Sequence, residues 1–541
     1  MLNEIIFSRL DYAFARFLTQ RSHLKDEPGK QFESIVAGLS YAQSQGHSYI
    51  RLSGEELTVV LGSGMADDTG TLPLILEGSQ LYLQRYWSYE CQLAEKLVSL
   101  MGADSLLNSF PEVFDRYFPV NDSIDWQKEA AIAAIKYPFT IVTGGPGTGK
   151  TTTVVKILAL LQEFSETPLN IMLAAPTGKA AMRLQGSIGQ SKNGLDCSGQ
   201  LKQMIPEQVV TIHRLLGARP PSPYFKYNAD SPLAYDIVVV DEVSMIDLPL
   251  MTKLVNALKV NARLILLGDK DQLASVETGT VLADLTNALP KYTQELKVSY
   301  RFSGNIKNFA EAVNHQEADL AWKLLTKNYA EVCFLKEDLI DYIVNKQGAY
   351  LQLISENSDF TECYAAFSAF QVLCATRQGL YSVDDINFRV TQALIEQRLI
   401  KSSGDWYSGR PIMITQNDAV LQLYNGDIGI CMSDPESRGQ LMVFFLHADG
   451  LVRQYLPARL PYCETVFAMT IHKSQGSEFD EVLLVLPEVV NPILTKELIY
   501  TGITRAKKTL KMVTNKEVFL QTIQRKVERF SGLAERIKNI A

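Results

Sequence analysis

The sequence predicts an α/β fold in which a helical N-terminal domain precedes two parallel-sheet domains, the second with a small β-barrel-like insert. Three observations predict this fold. Apolar residues recur at helical spacing up to residue 119, short β-rich runs then alternate with helical stretches, and a second set of such runs follows residue 370. A chain of 541 residues with 46% hydrophobic residues also exceeds what one core accommodates, so three or more domains are expected.

The first predicted element is a helical N-terminal docking domain over residues 1–119. Residues 10–18 and 81–87 space their apolar side chains three and four positions apart, as amphipathic helices do. This stretch contains no glycine-rich phosphate loop and no cluster of catalytic residue types. We therefore expect an accessory domain that docks on another protein.

The second predicted element is an α/β domain over residues 120–300. Short apolar runs alternate there with helical stretches, which is typical of a parallel sheet with helices on both faces. A Pro- and aromatic-containing stretch over residues 218–232 interrupts the pattern and predicts a hairpin. The predicted strands are residues 139–143, 169–174, 237–240 and 263–267.

The third predicted element is a second α/β domain over residues 301–541, built on the same plan. Between its first two predicted strands, residues 404–461 are punctuated by Gly and Asn and otherwise strand-like, which predicts the β-barrel-like insert. The predicted strands are residues 371–375, 481–486 and 510–513.

Composition limits the classes of protein that the chain can belong to. The net charge of −8 argues against a broadly basic nucleic-acid-coating protein, so any DNA site must be a local channel. The seven cysteines are scattered without metal-ligand spacing, and we interpret them as reduced core thiols. Charges interrupt the opening stretch and the longest apolar runs are strand-sized, so we expect a cytoplasmic protein with no membrane contact.

A nucleotide site is predicted where an apolar strand runs into a complete G-x-x-x-x-G-K-T loop and then a helix. Glycines let backbone N–H groups turn toward phosphate oxygens, Lys150 reaches the β- and γ-phosphates, and Thr151 offers its hydroxyl to Mg²⁺. The cofactors expected are therefore ATP and Mg²⁺. The loop residues predicted to bind nucleotide are Gly144, Gly145, Pro146, Gly147, Thr148, Gly149, Lys150, Thr151 and Thr152.

The acids that this chemistry requires end a second apolar strand, at Asp241 and Glu242. Asp241 is expected to hold Mg²⁺ through water, and Glu242 to orient and deprotonate the attacking water. An apolar strand that ends in two acids is a weak signal alone. In a chain that also carries the phosphate loop, it predicts an ATPase.

Further motifs in both α/β domains resemble those of superfamily 1 helicases, which have two RecA-like P-loop domains. Residues 267–273 resemble motif III, and the resemblance implies that Gln272 senses the γ-phosphate. Residues 126–130 lie where this superfamily reads adenine, which implies that role for Gln127. Residues 299–302 and 500–506 resemble motifs IV and VI, whose arginines, Arg301 and Arg505, would stabilise transition-state charge across the cleft.

Three other segments resemble the motifs that contact nucleic acid in the same superfamily. Residues 470–480 resemble motif V, which implies that Gly476 and Glu478 lie near nucleotide. Residues 175–181 and 211–216 resemble motifs Ia and Ib, which line the single-strand groove. The residues implied to contact DNA are Pro176, Thr177, His213, Thr470 and His472, with a helix-start histidine that packs locally an equal alternative for His213.

Within the superfamily, the chain resembles the RecD family, the alpha subunits of the exodeoxyribonuclease V (RecBCD) helicase–nuclease. The resemblance rests on residues 211–216, on residues 268–279, and on Gly409-Arg410-Pro411 with residues 425–429 in the insert, which in this family is an SH3-like module. It implies a 5′→3′ DNA helicase that docks with RecB-like and RecC-like subunits as a heterotrimer, acts on single-stranded DNA and duplex ends, and leaves the nuclease to a partner.

Two other functions stay open from the sequence. A stand-alone 5′→3′ helicase would carry the same motifs, although such relatives usually have a longer N-terminal region than this chain has. An assembly subunit with a vestigial ATP site belongs to a different class, but the full set of catalytic residue types disfavours it. Motor motifs alone do not separate DNA from RNA, and whether residues 218–232 separate strands or form a plain surface hairpin is equally open.

Overall fold

The computed structural model describes residues 7–101, 113–118, 124–219, 221–300, 304–401, 404–418, 420–434, 437, 439–447 and 450–540. These residues form four sheets, two of them parallel and flanked by helices. The predicted α/β fold with two RecA-like domains is confirmed.

The N-terminal region combines helices with a small sheet, which corrects the prediction of a purely helical domain. Its strands pair in the order β1-β4-β3-β2. The strands are two to four residues long, too short for an alternating pattern to show in the sequence. The elements are α1 (Arg9–Thr19), α2 (Asp26–Ser44), β1 (Tyr49–Arg51), α3 (Gly54–Gly62), β2 (Ala66–Asp67), β3 (Leu74–Glu77), β4 (Gln80–Leu83), α4 (Gln84–Met101) and α5 (Val113–Tyr117).

The first α/β domain is a six-stranded sheet in the order β10-β5-β9-β8-β6-β7, with every neighbouring pair parallel. Strands β5 and β8 are buried along their whole length, because helices cover both faces. The carboxyl ends of β5, β9 and β8 therefore lie side by side. The elements are α6 (Trp126–Lys136), β5 (Phe139–Thr143), α7 (Lys150–Phe164), β6 (Ile171–Ala175), α8 (Gly178–Asn193), α9 (Gly199–Met204), β7 (Val209–Thr211), α10 (Ile212–Leu216), β8 (Ile237–Val240), α11 (Leu248–Asn256), β9 (Arg263–Gly268), α12 (Val281–Ala288) and β10 (Thr293–Glu295).

The second α/β domain is a five-stranded parallel sheet in the order β11-β20-β19-β12-β18, with an antiparallel insert in the order β16-β15-β14-β13-β17. The insert ends later than the predicted residue 461, because Cys463 pairs with Ile414 in its sheet. The elements are α13 (Asn305–Asn314), α14 (Ala318–Thr326), β11 (Val332–Phe334), α15 (Leu339–Ser355), α16 (Phe360–Ser368), β12 (Phe370–Cys374), α17 (Val383–Glu396), β13 (Arg410–Ile414), β14 (Ile428–Asp434), β15 (Gln440–Leu446), β16 (Val452–Tyr455), β17 (Cys463–Thr465), β18 (Ala468–Thr470), β19 (Phe479–Val485), α18 (Lys496–Ile503), β20 (Ala506–Val513), α19 (Lys516–Gln524) and α20 (Leu533–Ile540).

A short hairpin occupies the Pro- and aromatic-containing stretch after α10. Ala218 and Phe225 form an antiparallel bridge, and Phe225 packs on the core of the first α/β domain. Tyr224, next to it, is 78% exposed. The described part of this hairpin is thus anchored at its base, with one aromatic ring facing solvent at its turn.

The last helix returns from the second α/β domain to the first. Leu533 and Ile537 of α20 join the apolar core that α4, α11 and α12 share. Arg536 lies between two acids, 2.5 Å from Glu77 and 3.2 Å from Glu90. Glu90 is fully buried, and burial raises its pKa although the Arg536 guanidinium opposes the shift. This ion pair ties the C-terminus to the N-terminal region.

Among the described residues, no helix is long and apolar enough to cross a bilayer. All seven cysteines are free thiols, and Cys363, Cys374 and Cys431 are buried. Burial raises the pKa of the Cys431 thiol to about 12. Such thiols pack as small apolar side chains.

Arg536→Ala is expected to lower the free energy of unfolding by about 3–5 kcal/mol, because Glu90 would keep a buried charge without its cation. Urea unfolding followed by tryptophan fluorescence measures this loss, since Trp87 lies 5.6 Å from the guanidinium. Lys538→Ala, on the exposed face of the same helix, is the control. Equal midpoints for the two variants would contradict a stabilising role for the pair.

Candidate active site at the cleft between the two parallel sheets

The phosphate loop follows β5 and opens α7. Gly147 and Gly149 have φ values of 76° and 83°, a left-handed conformation that favours glycine and lets the loop curl. Lys150, the first residue of α7, donates from Nζ to the carbonyl oxygens of Gly144 at 2.6 Å and Gly145 at 3.1 Å. The ammonium group is thereby held over the loop, where a phosphate chain would lie.

Two acids end β8 beside the loop. Asp241 and Glu242 line a cleft of about 900 Å³ together with Lys150 and Thr151. Burial, and then the neighbouring Glu242 carboxylate, raise the pKa of Asp241 to about 6, while the Lys150 ammonium opposes the shift. Glu242 has a φ of 53°, an uncommon value for a residue with a side chain, and such strain often accompanies a functional position.

A third acid, Asp269, ends β9 in the same row of strands. It accepts hydrogen bonds from Gln272 Nε2 at 3.1 Å and from the Tyr500 hydroxyl at 3.1 Å. Burial raises the pKa of Asp269 to about 6, and the nearby Lys150 ammonium opposes that shift. Asp269 therefore orients Gln272, which lines the cleft, and joins it to the second α/β domain.

Arg505 enters the cleft from the second domain. It is only 1% exposed, and its guanidinium donates to the carbonyls of Thr501 at 3.0 Å and Ser477 at 3.2 Å. Burial lowers the pKa of Arg505, while the carboxylates of Glu242 and Glu478 raise it. The predicted meeting of an arginine with the phosphate loop across two domains is thus present in the geometry.

Arg183 of α8 bridges the two domains at the mouth of the cleft. Its guanidinium lies 3.6 Å from Glu242 Oε1 in the first domain and pairs with Glu478 in the second. Glu478 itself does not line the cleft, so it reaches the nucleotide region through Arg183. This arginine was not predicted, because it lies on the helix after motif Ia and no motif marks it.

A smaller cavity lies beside the phosphate loop. It has a volume of about 170 Å³ and is lined by Gln127, Thr148, Tyr300 and Trp126, among others. Gln127 Nε2 donates to the Thr148 carbonyl at 3.4 Å, and the Tyr300 amide donates to Gly147 at 2.9 Å. Gln127 therefore lies in this cavity, in direct contact with the phosphate loop.

The other loop residues surround the same cleft. Gly144 and Gly145 hold Lys150 through their carbonyl groups, and Thr148 donates from its hydroxyl to Gly145 at 2.9 Å. The loop residues that line the cleft are Pro146, Gly147, Gly149, Lys150, Thr151 and Thr152. Arg301 lies outside the described residues.

The residues predicted to contact DNA lie at or just after the carboxyl ends of β6, β7 and β18. Pro176 and Thr177 follow β6, and Thr177 caps α8 by accepting from Ala180 N at 3.2 Å. His213, after β7, is exposed, and its ring centroid lies 5.8 Å from that of Phe225. Phe225 is therefore the side chain against which His213 would pack under the local-packing alternative.

Motif V begins at the end of β18 and continues to the contact of Gly476 with α8. Thr470 ends β18 and accepts from Lys473 N at 3.3 Å, and His472 follows it, half-buried. Gly476 is buried against α8, where an added Cβ would lie 3.5 Å from the Ala180 side chain. The structure thus separates the predicted nucleotide residues from the predicted DNA residues along one loop.

Comparisons with known proteins agree with this architecture. Residues 127–278 match the family model described as an AAA domain, and residues 465–513 match the UvrD-like helicase C-terminal domain. Among curated proteins, the RecBCD enzyme subunit RecD of Haemophilus influenzae is 36% identical over 533 residues, covering 86% of this chain and 82% of that protein. The chain belongs to the RecD family.

Two further proteins are similar to parts of this chain. The ATP-dependent RecD2 DNA helicase of Deinococcus radiodurans is 33% identical over 376 residues, which cover 68% of this chain but 46% of that protein. Among solved structures, Bacteroides Pif1 bound to ssDNA is 17% identical with a TM-score of 0.43, covering 73% of this chain and 94% of that one.

Several residues of the site in this RecD-family chain were not predicted from the sequence. Asp269 carried a usable signal, since it ends an apolar strand as Asp241 does. Tyr300 and Tyr500 stand inside motifs IV and VI but received no role there. Arg183 could have been found only by placing α8 against the cleft.

Arg183→Ala is expected to lower the kcat of ATP turnover on the order of tenfold, because Glu242 would lose the cation that holds it and the two domains would lose a cross-cleft pair. Steady-state ATPase assays check this, with Arg183→Lys expected to recover part of the rate. Lys192→Ala is the control, since Lys192 pairs with Glu207 at the far end of the same helix. Unchanged kcat in Arg183→Ala would remove the residue from the site.

Proposed function

We propose that this chain is the ATP-dependent 5′→3′ DNA helicase subunit of a RecBCD-type helicase–nuclease. The observation that carries the proposal is one cleft lined by Lys150, Asp241, Glu242 and Gln272 from the first domain and by Arg505 from the second. An arginine contributed across two domains links hydrolysis to domain closure, which is what a translocating motor requires.

The donor set of the cleft fits ATP with Mg²⁺. The Thr151 hydroxyl and the Asp241 carboxylate supply oxygen ligands beside the loop, and Mg²⁺ prefers oxygen and retains several waters and phosphate oxygens. When bound, Mg²⁺ neutralises phosphate charge. Gln127 would contact the adenine in the smaller cavity, while Gly476 and Glu478 would shape the far wall through α8 and Arg183.

The chain's own groups divide the hydrolysis between them. Glu242 would accept a proton from the attacking water, and Lys150 would neutralise the β- and γ-phosphates. Arg505, together with Arg301, would stabilise the charge that develops on the transferred phosphoryl group. Gln272 would register the γ-phosphate and pass its loss to Asp269, its hydrogen-bonded neighbour, and through Asp269 to Tyr500.

Single-stranded DNA would lie along the sheet edges that carry Pro176, Thr177, His213, Thr470 and His472. Backbone and hydroxyl donors at such positions grip phosphates without reading sequence. The insert lies close to the start of α8. A Cβ built on Gly178 would lie 4.0 Å from the ring of Tyr424 in the insert. A net charge of −8 is compatible with this arrangement because the contact is local.

The proposed assembly is a heterotrimer with RecB-like and RecC-like subunits in the cytoplasm, acting at duplex ends in recombinational repair and in the degradation of linear DNA. Residues 1–119 would dock on a partner, and the nuclease would be supplied by another subunit. The RecD subunit of Haemophilus influenzae, which matches over most of both chains, supports this assembly. The stand-alone helicase is less favoured, because RecD2 matches over 46% of its own length.

Lys150→Gln is expected to lower ATP turnover by at least about 100-fold, because it removes the cation that faces the phosphates. The measurement is ATP hydrolysis with and without single-stranded DNA, in the isolated chain and in the assembled complex. Assembly with partners is expected to persist, and Lys136→Gln, an exposed change on α6, is the control. Loss of assembly with unchanged folding would instead support a structural role for the site.

A fork with a single 5′ tail is expected to be unwound by the complex with its other motor inactivated, and a fork with a 3′ tail is expected to resist. The direction follows from the RecD-family resemblance. Gel-based strand separation with matched tails of opposite polarity measures it. Preference for the 3′ tail would place this chain outside the proposed polarity class while leaving its ATPase intact.

A further inference from the structure

One strip of chain, residues 269–279, joins the nucleotide cleft to the N-terminal region. It leaves the end of β9 with Asp269, which holds Gln272 by a hydrogen bond, and Gln272 lines the cleft. The Leu273 amide donates to Thr501 Oγ1 at 2.9 Å, and the Leu273 carbonyl accepts from Gln475 Nε2 at 3.1 Å. The first half of the strip is thus fixed by side chains of motifs V and VI.

The second half of the strip is fixed by Arg529, which follows α19 near the C-terminus. Arg529 Nη1 donates to three carbonyl oxygens of the strip, those of Ser275 at 2.7 Å, Glu277 at 3.0 Å and Gly279 at 3.0 Å. A single nitrogen at the centre of three carbonyl groups holds their spacing, because moving any one of them breaks a charge-assisted hydrogen bond.

The N-terminal region holds the same half of the strip from the other side. Thr278 Oγ1 donates to the Gln43 carbonyl at 3.3 Å, and the Gly279 amide donates to the Gly46 carbonyl at 3.0 Å. Gly46 has a φ of 90°, and a Cβ there would lie 2.4 Å from Arg529 Nε, so the glycine makes room for the guanidinium. The loop after α2, the strip and Arg529 therefore interlock.

The residue next to Arg529 extends this contact along the N-terminal sheet. The Phe530 amide donates to His47 Nδ1 at 3.1 Å, and its carbonyl accepts from the Ser48 amide at 2.8 Å. The Phe530 ring stacks on Tyr49 with centroids 5.6 Å apart. Arg529 also lies near enough to His472 of motif V to lower its pKa, after the larger effect of burial.

We propose that Arg529 is a positioning residue that locks the strip to the N-terminal region, so that displacement of Gln272 at the nucleotide reaches residues 43–49. The inference rests on the proposed ATPase function, in which Gln272 responds to the γ-phosphate. The strip is short and is held at both ends by buried or half-buried groups. These contacts favour movement of the strip as one unit over rearrangement within it. A partner that docks on the N-terminal region would then respond to nucleotide binding in the cleft, and its docking would in turn influence nucleotide binding.

The test compares Arg529→Gln, Arg529→Lys and Arg525→Gln in the full chain. Arg529→Gln is expected to lower DNA-stimulated kcat about fivefold with little change in the KM for ATP, because the variant acts through Gln272 and not on nucleotide contacts. Arg529→Lys is expected to recover much of the rate, since an ammonium carries three donors for the three carbonyls. Arg525 donates to Asn491, away from the strip, and its variant is the control.

Hydrogen exchange provides a readout that a merely structural role would not move. In the wild-type chain, adding a non-hydrolysable ATP analogue is expected to change amide protection in residues 43–49 as well as in residues 272–279. In Arg529→Gln the change is expected at residues 272–274 alone. A nucleotide response at residues 43–49 that survives in Arg529→Gln, or its absence from the wild type, would overturn the inference.

The two proposals fail in different ways. If the wild-type chain binds the analogue but shows no DNA-stimulated hydrolysis, the proposed function fails, and the exchange pattern still decides the role of Arg529. If hydrolysis is normal and depends on Lys150, while Arg529→Gln leaves both kcat and exchange unchanged, only the role of Arg529 fails. Equal loss of thermal stability and of kcat in the Arg525 control would also count against it.

Discussion

The hydrogen bond from the Leu273 amide to the Thr501 hydroxyl is the contact on which the catalytic cleft depends. Leu273 is 6% exposed and Thr501 is fully buried, so neither group has water as an alternative partner. Gln475, which lies in the second α/β domain like Thr501, donates to the Leu273 carbonyl. Gln272 precedes Leu273, and Arg505 follows Thr501 by four residues, about one helical turn. This hydrogen bond therefore fixes the positions of Gln272 and Arg505 relative to each other.

Buried charge in the cleft is tolerated because acids and bases alternate across it. The carboxylates of Glu242 and Glu478 offset part of the desolvation of Arg505, and the Lys150 ammonium favours the charged forms of both Asp241 and Asp269. Both of these aspartates still have a pKa of about 6, so burial outweighs the single ammonium.

The sequence predicted the parts of the fold in which a fully buried apolar strand runs directly into a glycine-rich loop or a pair of acids. Strands β5 and β8 are runs of apolar residues that end in the phosphate loop and in Asp241, so position and chemistry could be inferred together. The N-terminal sheet was missed because its strands are too short for periodicity. Arg183 and Arg529 were missed for another reason: each acts on residues far away in the chain, which no local pattern records.

Helix α8 connects the carboxyl end of β6 to the cleft. Thr177 caps the helix at its start, and Arg183 lies six residues further on, a rise of about 9 Å along the axis. Gly476 of motif V packs against Ala180 between them. A displacement of Thr177 would therefore move Arg183 with the same helix, and with it the Glu242 carboxylate that Arg183 pairs with.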